Sequence, residues 1–198
     1  MSRIAVVGTG YVGLTTAACL ADLGNEVCGL DVDPHVVQTL QSGEVPFYEP
    51  GLQELVARGL ATSRLCFTTV YADAVRDAEF IFLAVGTPMA ETGEADLSQV
   101  RQAAATIAQH LSGPAVIVNK STVPIGTGDI VGDLIRDHLR EPVQFSVVSN
   151  PEFLREGSAI HDFMHPDRVV IGSHDAESTR RVAELYKPLD APVLVTTL

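Results

Sequence analysis

Tryptophan is absent from this 198-residue chain, and cysteine and methionine occur three times each. Basic residues are scarce: 13 Lys and Arg stand against 25 Asp and Glu, for a formal net charge of −12. No Lys/Arg cluster offsets that excess, so a phosphate backbone is repelled overall and no nucleic-acid partner is expected. No apolar run approaches the roughly 18–20 residues that span a bilayer. No basic-then-apolar leader precedes the first apolar segment. The expectation is a cytoplasmic protein without membrane contact. The odd cysteine number and the lack of a CxxC pair argue against a disulfide framework. Cys19, Cys28 and Cys66 all fall in apolar stretches and are expected to be buried small hydrophobes, none of them a poised nucleophile.

Two catalytic signatures are missing as well. Lys120-Ser121-Thr122 resembles the end of a phosphate loop, but the Gly-x4 spacing before it is absent. His161 and His165 stand four apart, yet no HExxH occurs and Pro166 breaks the segment, so no metal site is expected. There is no internal repeat, low-complexity tract or composition shift, which leaves residues 1–198 as a single domain.

What the chain does have lies near its N-terminus. Ile4-Ala5-Val6-Val7 runs into Gly8-Thr9-Gly10-Tyr11-Val12-Gly13, a helical apolar pattern follows, and the next apolar run ends on Asp31. In such a strand–turn–helix–strand unit each glycine has its own task. Gly8 makes the tight turn, Gly10 lets the backbone approach a pyrophosphate, and Gly13 lets helix and strand pack closely. The helix start, with Tyr11 and Val12, offers unpaired N–H groups and the positive end of the dipole to phosphates. Asp31, eighteen residues after Gly13, is placed to accept hydrogen bonds from a ribose diol. It would repel a 2′-phosphate, so NAD is expected over NADP. Asp33 before Pro34 reads as a helix N-cap.

Strand-like runs are read at Arg3–Val7, Glu26–Leu30, Leu65–Thr68, Phe80–Val85, Ala115–Asn119, Gln144–Val148, Arg168–Ile171 and Val193–Val195. Helical stretches are read at Tyr11–Leu23, Pro34–Gln41, Leu52–Arg58, Leu97–His110, Gly128–His138 and Ala176–Tyr186. The alternation predicts an α/β fold, a doubly wound parallel sheet of Rossmann-like type. Ligands bind such sheets beyond the carboxyl ends of the strands. Three further loops leave those ends: Gly86-Thr87-Pro88, Lys120-Ser121-Thr122-Val123-Pro124 and Asn150-Pro151-Glu152-Phe153-Leu154-Arg155-Glu156. They should converge on one crevice. Ser121 and Thr122 supply hydroxyls there. On a helix, Glu152 and Glu156 would share one face; they are either exposed acids facing a helix dipole or a carboxylate pair able to orient water or act as general base.

These motifs, with Tyr48-Glu49-Pro50-Gly51-Leu52, Gly157 and Pro166-Asp167-Arg168, resemble the UDP-glucose/GDP-mannose dehydrogenase family in order and over the whole chain. The resemblance implies oxidation of a nucleotide-sugar primary alcohol to a carboxylate with two NAD, UDP-glucose being the favoured substrate. A cysteine holds the aldehyde as a thiohemiacetal and water then hydrolyses the thioester. By the same resemblance Thr122 and Glu152 handle the catalytic water. Glu152, Phe153, Leu154, Arg155 and Glu156 line the sugar-nucleotide site. Gly86, Thr87, Ser121, Thr122 and Glu156 join the glycine turn and Asp31 in contacting NAD. The family continues into a central helix and a second, sugar-binding domain that carries the nucleophilic cysteine, and its enzymes are homo-oligomers. The expectation is thus the NAD-binding half, able to hold cofactor but not to turn over. Val36 stands where the family usually has Lys. GDP-mannose or a UDP-N-acetylhexosamine as substrate, and a freestanding non-catalytic NAD-binding module, stay open as alternatives.

Overall fold

A computed structural model describes residues 1–90 and 93–197; Leu198, the last residue of the single-domain expectation, lies outside them. The elements run β1 (Arg3–Val7), α1 (Tyr11–Asp22), β2 (Glu26–Leu30), α2 (Pro34–Gln41), α3 (Leu52–Ala61), β3 (Leu65–Thr68), α4 (Tyr71–Val75), β4 (Phe80–Leu83), α5 (Ser98–Ala108), β5 (Ala115–Asn119), α6 (Thr127–His138), β6 (Phe145–Ser149), α7 (Ala159–Met164), β7 (Val169–Gly172), α8 (Ala176–Tyr186) and β8 (Val193–Thr196). The strands lie in the order β3-β2-β1-β4-β5-β6-β7-β8. From β3 to β6 all neighbours are parallel. The order reverses between β1 and β4, which opens a crevice beyond their carboxyl ends.

Burial on both faces explains the continuous apolar strands. Ile4 and Val6 of β1 point to one core with α1, α2, α3, α7 and α8. Ala5 and Val7 point to the other, with α4, α5 and α6. Helix α1 is apolar nearly all round because it is buried from Gly13 to Ala21. No helix among the described residues is long and apolar enough to cross a membrane.

The structure corrects three expectations. The sheet is not parallel throughout: β7 is antiparallel to β6, joined to it by the single pair Ser149–Gly172, and β8 follows β7. The segment from Glu152 to Glu156 is not helical; it is irregular, and helix α7 starts only at Ala159. The Glu152 carboxylate accepts a hydrogen bond from the Leu154 N–H at 2.5 Å, a local turn that competes with helix formation. Finally, the cysteines are not uniformly buried. Cys19 is, but Cys28 is half-buried and Cys66 is exposed, because β3 is an edge strand.

Candidate functional site

The glycine turn has the geometry its spacing implies. Gly8 adopts φ +94°, and a Cβ there would lie 2.7 Å from the Ala84 carbonyl oxygen. A Cβ on Gly13 would lie 1.9 Å from the Gly8 carbonyl oxygen, so helix and strand can meet only at glycine. Gly10 differs: among the described residues nothing lies within 4 Å of its would-be Cβ. It is the N-cap of α1 and provides no side-chain acceptor for the N–H groups of the first turn. Asp31 is held beside this turn. Its Oδ2 accepts from the Thr9 N–H at 2.9 Å and the Thr9 hydroxyl at 2.8 Å, and its Oδ1 accepts from the Asp33 N–H at 3.1 Å. Asp33 caps α2 through the His35 N–H at 2.8 Å. An open helix start, a bare approach at Gly10 and an oriented acid are the features a dinucleotide requires.

Across the switch point, β4 exits into Gly86-Thr87 and β5 into Lys120-Ser121-Thr122. The Thr87 hydroxyl donates to the Thr122 carbonyl at 2.8 Å, which ties the two loops together. The Ser121 hydroxyl is turned inward and donates to the Val85 carbonyl at 2.7 Å, while the Thr122 side chain is exposed at the crevice.

The third loop surrounds a cleft of about 500 Å³ lined by Lys120, Asn150, Glu152, Phe153, Arg155 and Tyr186 among others. It opens where β6 and β7 part. Antiparallel β7 brings its first residues, and Arg168 before them, back to this edge. Lys120 is buried beneath it, with its ammonium 3.2 Å from Asn150 Oδ1 and 5.8 Å from the Tyr186 ring centre. Burial lowers the Lys120 pKa to about 8, opposed by the nearby Glu152 carboxylate. Arg155 is pinned by Asp162 through Nη2 at 2.7 Å and Nε at 3.0 Å. Phe153 is 60% exposed, and Glu156 is exposed too. The His161 and His165 rings meet edge to face at the cleft wall.

Sequence reasoning missed the residue that joins the two halves of this edge. Glu49 is only 4% exposed. Its carboxylate accepts the Tyr11 hydroxyl, the Gly157 N–H at 2.7 Å and the Ala159 N–H at 2.9 Å. The Tyr11 hydroxyl lies 3.2 Å from the Arg155 carbonyl, and its ring packs 5.2 Å from Phe47. Burial, then the hydrogen bond to Glu49, raises the Tyr11 pKa to about 12. Tyr11, expected to face the cofactor, thus couples the glycine turn to the loop from Glu152 to Gly157. The only signal in the sequence was Glu49's place in the Tyr48–Leu52 motif.

The comparisons agree with this geometry. Residues 2–190 match the model of the UDP-glucose/GDP-mannose dehydrogenase family, NAD binding domain. The chain is 50% identical to the UDP-glucose 6-dehydrogenase TuaD of Bacillus subtilis, over 100% of this chain and 43% of that protein. It is 47% identical to a UDP-glucose 6-dehydrogenase of Pseudomonas aeruginosa, over 94% and 42% respectively. Among solved structures, a UDP-glucose dehydrogenase from Pyrobaculum islandicum superposes with a TM-score of 0.96 at 42% identity, covering 100% of this chain and 46% of that one. A GDP-mannose dehydrogenase from Pseudomonas aeruginosa gives 0.95 at 38%, covering 98% and 46%. The chain therefore spans less than half the length of these relatives. It belongs to the UDP-glucose/GDP-mannose dehydrogenase family, as an NAD binding domain of that family.

Proposed function

We propose that the chain is the NAD-binding half of a UDP-glucose 6-dehydrogenase, an oxidoreductase that converts UDP-glucose, two NAD and water into UDP-glucuronate. The observation that carries this reading is the Glu49 bracket. It fixes the glycine turn and the loop from Glu152 to Gly157 as one piece, so a cofactor seat and a sugar-nucleotide seat share a single edge. NAD supplies the hydride acceptor. The chain's own residues do the positioning. Gly8, Gly10, Tyr11, Val12 and Gly13 shape the seat of the pyrophosphate, and Asp31 accepts from the adenosine ribose. Gly86, Thr87, Ser121 and Thr122 form the wall toward the nicotinamide, with Glu156 at its rim. The exposed Thr122 hydroxyl and the Glu152 carboxylate hold the hydrolytic water. Phe153, Leu154 and Arg155 present the sugar-nucleotide wall.

The thiol nucleophile of such a reaction is not among these residues. Cys19 is buried in α1, and Cys28 and Cys66 lie within β2 and β3 rather than on the crevice loops. The chain alone is therefore expected to bind NAD and not to oxidise UDP-glucose. Thermal shifts with NAD and with NADP test the first point. Saturation at 100 times the dissociation constant should add roughly 2.7 kcal/mol for NAD, with a smaller NADP shift and less discrimination in Asp31→Ala. Equal shifts in the unmodified chain would sink the proposal. Calorimetry should find UDP-glucose binding weak, since Phe153 and Arg155 stand on an open wall. NADH absorbance should stay flat with excess UDP-glucose. Turnover lost on Cys28→Ser would place the nucleophile inside this chain.

A further inference from the structure

Strands β2 and β3 form the sheet margin opposite β8, and their register sets Cys28 directly beside Cys66. Neighbouring strands lie roughly 4.8 Å apart, and in-register residues send their side chains to the same face. That spacing falls within the range of about 4.4–6.8 Å between the Cα atoms of a disulfide. Both side chains line one cleft of about 260 Å³, together with Arg3, Arg64, Asp73 and Asp77. Strand β3 has four residues and, among the described residues, only β2 as a neighbouring strand, so it can yield the small shift that closing the sulfurs requires. The interaction between the two thiols holds Cys66 below its usual range, against burial and the Asp73 carboxylate, and joins them in pushing Cys28 up. Cys66 is thus the outer, more acidic thiol, and Cys28 stands behind it.

We propose that Cys28 and Cys66 form a reactive dithiol that closes to a cross-strand disulfide on meeting a small-molecule disulfide. The Cys66 thiolate attacks one sulfur of that reagent and expels the other as a thiolate, giving a mixed disulfide. Cys28 then attacks the Cys66 sulfur, and its proton passes to the second departing thiolate. Two protein thiols are oxidised and one external disulfide is reduced to two thiols. The bond would staple β3 to β2 three residues before Asp31, whose N–H already donates to the Thr68 carbonyl at 3.2 Å. It would therefore clamp the margin that carries the ribose acid while leaving the crevice open. This inference does not depend on the substrate assigned above.

The test uses the folded chain and an aromatic disulfide reagent whose released thiolate is coloured. Two equivalents of colour should appear, the protein should carry no adduct and weigh less by two hydrogens, and peptide mapping should link Cys28 to Cys66. Cys28→Ser should release one equivalent and keep the adduct on Cys66. Cys66→Ser should slow the first release at least about tenfold, since the more acidic, exposed thiol is gone. Cys19→Ser should behave as the unmodified chain. A stable adduct on Cys66 of the unmodified chain, a link to Cys19, or a Cys66–Cys66 link between two molecules would overturn the proposal. The mapping of the unmodified chain decides this without reliance on any variant.

Discussion

Gly10 and Gly13 stand three residues apart in one motif, yet they answer to different forces. At Gly13 the protein itself fills the space a side chain would need. At Gly10 the space is open, and its φ of −68° is one any residue adopts. Gly13→Ala should therefore cost upward of about 4 kcal/mol or abolish folding, because its Cβ meets main chain that cannot retreat. Gly10→Val should retain the fold, with a loss near 1 kcal/mol for a poorer N-cap, but should lose the NAD-induced thermal shift. Urea denaturation and thermal shift, run on both variants, separate the two effects. Glu49 is the residue-scale case with the widest reach. In Glu49→Gln one of three converging donors would face an amide N–H instead of a carboxylate oxygen. The buried mismatch should cost about 3 kcal/mol, measurable as a lower urea midpoint with unchanged m-value.

Among the elements, those set by period and capping were legible from sequence. Helix α2 starts at Pro34 behind its Asp33 cap, and the first three strands have the boundaries their apolar runs suggest. Helices α4 and α7 were not legible, since five and six residues are too few for a 3.6-residue period to show. Strand direction was invisible for a different reason. An apolar run reads alike in parallel and antiparallel pairing, so the reversal at β7 was lost although the strand itself was found. Lys120 shows how much that corner depends on several elements at once. Leaving β5, its ammonium donates to Asn150 at the end of β6. Asn150 in turn donates to the Val170 carbonyl of β7 at 2.9 Å and accepts the Tyr186 hydroxyl of α8 at 2.5 Å. The folded-state pKa of Lys120, about 8, lies below its unfolded value, which is about 10.4. Between those values the unfolded chain holds a proton that the folded chain has released. This residue's contribution to stability therefore rises with pH across that window, by roughly 3 kcal/mol in total. Tyr186 acts oppositely at higher pH, because its raised pKa resists ionisation in the fold. Lys120→Met should flatten the rise between pH 8 and 10 relative to the unmodified chain, as followed by urea denaturation at a series of pH values.

For the molecule as a whole, composition and alternation were enough to indicate a doubly wound sheet, and that topology alone gathered the crevice loops. What they could not supply was the fastening between loops, because Glu49 and Gly157 are distant in sequence and meet only through the fold. The same non-local construction has a kinetic consequence. Strand β1 pairs with β2 from Arg3 to Val7, but its other margin waits for β4, where Ile4 meets Phe80 and Val7 meets Leu83. Until that stretch arrives, the strand destined for the centre of the sheet keeps one margin unpaired and one apolar side uncovered. Closing a contact so distant along the chain carries the loop-entropy penalty that slows parallel α/β proteins. The seam that becomes the ligand crevice is then also the seam whose closure is expected to limit refolding. Truncating Phe82 to Leu, at the middle of that seam, should chiefly slow refolding, whereas Ile171→Val in β7 should chiefly hasten unfolding. The two arms of a denaturant chevron would tell these apart, and equal slowing by both would move the rate-limiting closure away from β1 and β4.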